Sequence, residues 1–133
     1  AAAKSKKESA SIDNLSEATA IITNPTHFAV ALKYEVGDSK APVVIAKGRG
    51  KNAEKIISKA KKLNIGNMQS PKLARAIYYT SEIGDEIMSK LYNAVAIALA
   101  YIYKIDNGEE IEKPEIEIPE DMIFDEFGRK NDQ

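Results

Sequence analysis

Two runs near the start of the chain have the apolar composition of strands. Ala18-Thr19-Ala20-Ile21-Ile22 and Phe28-Ala29-Val30-Ala31-Leu32-Lys33-Tyr34 both read as β-strands. In the second, Phe28, Val30, Leu32 and Tyr34 alternate with Ala29, Ala31 and Lys33, which builds one face for a core. Between them lies Thr23-Asn24-Pro25-Thr26-His27. Pro25 has no N–H and a fixed φ, so it cannot continue a central ladder, and it moves Asn24 away from the helical region. The stretch is therefore a bend at the lip of a sheet.

Further on, the polar run Glu35-Val-Gly-Asp-Ser-Lys-Ala41 has turn composition. The continuous apolar run Val43-Val44-Ile45-Ala46 suits a strand buried on both faces. After Gly48-Arg-Gly-Lys, Asn52 reads as the N-cap of a helix with Ala53, Ile56, Ile57, Ala60 and Leu63 at helical spacing. Asn64-Ile65-Gly66 ends it, and Ile65–Gln69 is a short strand, so residues 42–69 read as a βαβ crossover. Ser70-Pro71 is a second helix start, an N-cap followed by proline in the first turn. The last periodic segment places Ile87, Leu91, Ala94, Val95, Ala98, Leu99, Ile102 and Ile105 on one broad face. These elements predict a small α/β domain, with a mixed sheet of about four strands and about four helices around it.

Composition supports one domain: 133 residues, 44% apolar and 29% charged. There is no cysteine and a single histidine, which excludes disulfides, thiolate zinc sites and a histidine-rich metal cluster. No cofactor is expected. The longest apolar stretch, Ala94–Tyr103, is too short to span a bilayer. The start, Ala-Ala-Ala-Lys, lacks Met and reads as an internal piece of a longer protein. Residues 1–15 are polar and carry Lys4, Lys6 and Lys7, the composition of a linker or frayed helix. Residues 106–133 hold eleven acidic and three basic residues with Pro114 and Pro119, which reads as a mobile acidic tail. Within it, Met122, Ile123, Phe124 and Phe127 form either a short docking element or a collapsed tail. The folded domain proper is then 16–105. Lys47, Arg49, Lys51, Lys55, Lys59, Lys61 and Lys62 face only Glu54 in their stretch. Such a run reads by default as a solvated helix face; no aromatics interleave with it, so nucleic acid is not the expected partner, and acidic protein surfaces fit better.

The bend carries unusual chemistry. Ordinary asparagine ageing uses the next residue's backbone N–H, which Pro25 lacks. What remains is attack by the Asn24 side-chain nitrogen on its own main-chain carbonyl, expelling the Pro25 nitrogen and cutting the chain. His27 is the residue type suited to take up the proton. Thr23 and Thr26 offer hydroxyls that can orient the amide or stabilise an oxyanion. A plain Asn-Pro turn beside a surface histidine is the competing reading.

The flanks favour the chemistry. Ala20-Ile-Ile-Thr-Asn-Pro-Thr-His-Phe-Ala-Val-Ala-Leu-Lys-Tyr34, Ala41-Pro-Val-Val-Ile-Ala-Lys-Gly48, Ser70-Pro-Lys-Leu-Ala-Arg-Ala-Ile-Tyr78 and Leu91-Tyr-Asn-Ala-Val-Ala96 resemble the autocleaving domain of the FlhB/YscU family. These are the substrate-specificity switch proteins of type III secretion. The run Ser81-Glu-Ile-Gly-Asp-Glu-Ile87 followed by Leu91-Tyr92 is closer to the flagellar branch. The resemblance covers residues 16–104. It implies self-cleavage at Asn24-Pro25, with Asn24 as nucleophile and Pro25 as leaving group. Thr26 would shape the bend, and His27 would act as base or orienting group. The cut halves would stay together, and export would pass from rod and hook to filament substrates. It also implies a membrane-embedded N-terminal part, a place on the cytoplasmic face of the bacterial inner membrane, and three kinds of partner. These are export substrates, a hook-length or needle-length control protein and other export components. A docking module without chemistry is the alternative, with Tyr78, Tyr79 and the basic helix as candidate contacts.

Overall fold

The computed structural model describes residues 2–25, 27–35, 37 and 40–130. Helix α1 (Ala2–Ser11) and a 3-10 turn (Ile12–Glu17) lead into strands β1 (Ala20–Asn24) and β2 (Phe28–Lys33). Then come β3 (Val43–Arg49), α2 (Lys51–Lys62), β4 (Gly66–Gln69), α3 (Pro71–Thr80) and α4 (Tyr92–Asp106). The four strands form one mixed sheet in the order β3-β2-β1-β4. β2 runs antiparallel to both β1 and β3, and β4 lies parallel to β1. The crossover through α2 therefore joins parallel strands at opposite edges rather than neighbours.

The period-two pattern sorts residues by size as well as polarity. Ala20, Ile22, Phe28, Val30 and Leu32 pack under α3 and α4 with Met68, Leu73, Ile77, Leu91, Val95 and Ile102. Ile21, Ala29, Ala31 and Ala46 meet Ala53, Ile56 and Ala60 of α2 and Leu15. Both faces are thus buried, and the alanines let α2 lie close. In β3 a bulge breaks the alternation: Ala31 pairs with Ala46 but Leu32 with Val44. Ile45 is the extra residue, so Val44 and Lys47 face the same core.

Several expectations are revised. The cap of α2 is Gly50, at φ +57°, a left-handed position that favours glycine; Asn52 lies inside the helix. α4 begins at Tyr92, and Ile87 sits in an extended segment whose N–H donates to the Pro42 carbonyl at 3.0 Å. Ile105 is exposed. Of the linker and helix readings of the first residues, the helix is present: residues 2–17 are helical, with α1 against β3, because Glu8 and Leu15 find buried positions. In the acidic segment Met122 is buried and Ile116 and Ile118 pack on the core. Phe124 lies 5.5 Å from the Tyr79 ring, whereas Phe127 is exposed. Lys47 does not belong to a solvated face: it is 3% exposed. Among the described residues no helix is long and apolar enough to cross a membrane.

Candidate functional site

The Asn24-Pro25 bend closes the β1–β2 hairpin. Asn24 is the last residue of β1 and pairs with Phe28 across the ladder. The His27 backbone N–H donates to the Asn24 carbonyl at 2.9 Å. Asn24 and Pro25 are half-buried and His27 is exposed. Thr26, expected to shape the bend, lies outside the described residues.

The backbone is pinned on both sides. Thr23 is wholly buried; its carbonyl accepts from the Ser70 N–H at 2.8 Å and its hydroxyl donates to Asn67 Oδ1 at 3.0 Å. The parallel β1–β4 ladder brings both partners there, since Thr23 is in register with Gln69. On the other side the His27 carbonyl accepts from the Gly50 N–H at 3.0 Å. Phe28 then enters an aromatic cluster, 5.0 Å from the Tyr78 ring and 5.7 Å from Tyr79. The Arg49 guanidinium stands 5.4 Å above the Phe28 ring. Fixed ends and a donor on the Asn24 carbonyl suit attack at that carbonyl carbon, where negative charge would build on the oxygen.

Behind Phe28 lies a buried polar cluster with no signature in the sequence. Glu8 accepts from the Arg49 N–H at 3.1 Å and from the Tyr78 hydroxyl. Lys47 donates to the carbonyls of Tyr78 and Ser81 at 2.7 and 2.8 Å. Burial pulls the Lys47 amine below its ordinary range. Burial first, and the Glu8 acceptor second, push the Tyr78 phenol well up; burial also raises Tyr79. Tyr78 is fully buried and so offers no docking surface, while Tyr79 is half-buried.

A groove of about 910 Å³ runs along α4, lined by Ala41, Pro42, Tyr92, Ala96, Leu99 and Tyr103 among others. The sequence held its signal: α4 is apolar beyond the buried stripe of Ala94, Val95, Ala98 and Ile102. A helix apolar on more than one face has a second face to account for.

The FlhB HrpN YscU SpaS family model matches residues 2–102, and the chain belongs to this family. Its relatives include flagellar proteins, the branch expected from residues 81–92. The flagellar biosynthetic protein FlhB of Aquifex aeolicus is 51% identical over 86 residues, 65% of this chain and 25% of that protein. FlhB of Buchnera aphidicola subsp. Acyrthosiphon pisum is 44% identical over 127 residues, 91% of this chain and 33% of that protein. The chain thus spans a quarter to a third of the length of these relatives. Among solved structures, the cytoplasmic domain of FlhB from Shewanella putrefaciens matches with a TM-score of 0.73 at 40% identity, covering 84% of this chain and 90% of that one. A mutated EscU C-terminal domain matches with a TM-score of 0.65 at 29% identity, covering 69% of this chain and 98% of that one. The mixed four-stranded fold is that of these domains.

Proposed function

We propose that this chain is the self-cleaving switch domain of a flagellar export-apparatus protein and cuts its own backbone between Asn24 and Pro25. The observation that carries the reading is the His27 N–H on the Asn24 carbonyl, with Thr23 and His27 tied to the sheet on either side. Asn24 Nδ2 bonds to the Asn24 carbonyl carbon and loses a proton. The oxygen takes the negative charge against the His27 N–H. As the carbonyl re-forms, the bond to Pro25 breaks; its electron pair stays on the Pro25 nitrogen, which takes up a proton. A succinimide ends one half and a secondary amine begins the other. Held geometry supplies up to roughly 7–11 kcal/mol in favourable intramolecular cases.

After the cut, β1 and β2 remain paired in one sheet, so the halves stay together and only the turn is freed. In this reading the domain works at the cytoplasmic face of the bacterial inner membrane. The freed turn moves export from rod and hook to filament substrates. Export substrates, a length-control protein and other export components are its partners.

Intact mass and a denaturing gel on fresh protein, beside Asn24→Ala, test the reaction. Fragments 1–24 and 25–133, absent from the variant, are expected; one uncut species in both after long incubation near neutral pH would overturn it. His27→Ala keeps the backbone donor and removes the imidazole. It should cut roughly 100- to 10,000-fold more slowly if the imidazole is the base, and an unchanged rate would leave only the backbone N–H in the mechanism. Pro25→Ala, which restores an N–H, should cut more slowly than the parent.

The groove along α4 favours a second role on the same domain, as a docking platform for export components. Leu99→Asp should weaken their binding without changing the cleavage rate; unchanged binding would remove the groove from the reading.

A further inference from the structure

Glu8 is 2% exposed on a helix whose other lysines and serines mostly face solvent. A buried carboxylate is costly unless its oxygens find donors. Both do: Oε1 takes the Arg49 N–H and Oε2 the Tyr78 hydroxyl. β3 is an edge strand, and Arg49 pairs with Phe28 where the ladder bond is made one residue on, by Gly50 to His27. The Arg49 N–H therefore points away from β2, and Glu8 fills the place of a further strand. Two cations stand over the ring whose hydroxyl donates to Glu8: Lys47 lies 4.5 Å and Lys4 5.2 Å from the centre of the Tyr78 ring.

Both groups held by Glu8 belong to the hold on the residues after the bend. The peptide following Arg49 carries the N–H that ties down the His27 carbonyl, and the Tyr78 ring packs on Phe28. On the N-terminal side of the bend, Thr23 is held by Ser70 and Asn67, at the β4–α3 junction.

We propose that Glu8 is a positioning residue for the cleavage turn: through Arg49 and Tyr78 it makes the hold on His27 and Phe28 depend on where α1 sits. The consequence for cutting rests on the self-cleavage reading; the latch itself does not. Movement of α1, by which the chain enters the domain, withdraws the acceptor from the β3 edge. One flank of the scissile bond loosens while the other stays fixed.

Two measurements separate the latch from the chemistry. In protein carrying Asn24→Ala, amide exchange is followed with and without Glu8→Ala. Exchange at Arg49 and Gly50 should rise on the order of tenfold or more, with Ile22 and Met68 unchanged. Unaltered exchange at Arg49 and Gly50 overturns the proposal whether or not the parent cuts itself. In protein with Asn24 intact, Glu8→Ala should slow cutting on the order of tenfold, and Glu8→Gln, which keeps an oxygen acceptor, should restore most of the rate. Ser11→Ala is the control: Ser11 is equally buried on α1 and its hydroxyl donates to the Glu8 carbonyl. Assayed at the same distance below its own melting point, it should cut at the parent rate. Equal slowing by Ser11→Ala would assign the effect to helix stability alone and overturn the positioning role. If exchange rises as expected but the parent never cuts, the latch stands and the self-cleavage reading falls.

Discussion

The two flanks of the Asn24-Pro25 bond are held in different ways. Thr23, upstream, is locked by the middle of the domain: its carbonyl and hydroxyl are taken by Ser70 and Asn67 at the β4–α3 junction. His27 and Phe28, downstream, are held by β3 and an aromatic cluster, and both of these lean on the ends of the chain. α1 reaches them through Glu8. The C-terminal segment reaches them through Glu126, whose carbonyl accepts from Arg49 at 3.1 Å and from the Tyr79 hydroxyl at 2.6 Å. Arg75 adds a bond to the Phe124 carbonyl at 2.7 Å. A turn fixed on one side and adjustable on the other can be tuned without unfolding the sheet, because local opening draws on the less buried contacts.

The contrast breaks most severely at Phe28. Phe28→Ala removes the ring on which Tyr78, Tyr79 and Arg49 converge and should cost about 3–5 kcal/mol of stability in urea unfolding. Next is Gly128, at φ +84°, where an added Cβ would stand 2.8 Å from the Tyr79 ring. Gly128→Val should cost about 1–3 kcal/mol and open residues 120–130 to proteolysis while Thr23 keeps its protection. On the fixed flank, Thr23→Val loses one hydroxyl donor to a partner at the surface and should cost about 1 kcal/mol. Amide exchange should rise at Ser70 and not at Gly50; the reverse pattern would erase the distinction between the flanks.

The smallest effect is in alkaline solution. The folded state holds the Tyr78 phenol protonated above its ordinary range. Its contribution is therefore complete below about pH 10 and lost as pH rises beyond it. Lys47, shifted down by burial, has the opposite sign: the unfolded chain binds the extra proton, so stability rises with pH up to about 10. Tyr78→Phe isolates the first of these. The stability gap between parent and variant in urea should narrow between about pH 8 and about pH 11.

Much of this was legible along the chain because the signals are local. Alternation in 28–34, the Ser70-Pro71 start and the helical spacing from Ala53 to Ala60 each report on residues a turn or a pleat apart. The proposed Asn24-Pro25 chemistry would be local too: ring closure involves one residue and its neighbour. Asn52 has a capping side chain, but the cap falls at Gly50 because the constraint there is a backbone angle after β3.

What only the tertiary structure decided is which distant groups meet. Sequence by itself determined that Asn24 precedes a proline, that a bend must follow β1, and which side chains seek a core. It carried no mark that Glu8 would cross to Arg49 and Tyr78, or that the Glu126 carbonyl would accept from Arg49. A lone Glu in a lysine-rich stretch has the pattern of a solvated residue. It becomes a buried partner because β3 is left at the sheet edge with an outward N–H to satisfy, and sheet order is settled by long-range packing. The bulge at Ile45 turns Lys47 inward for the same reason: register is a property of paired strands, not of one.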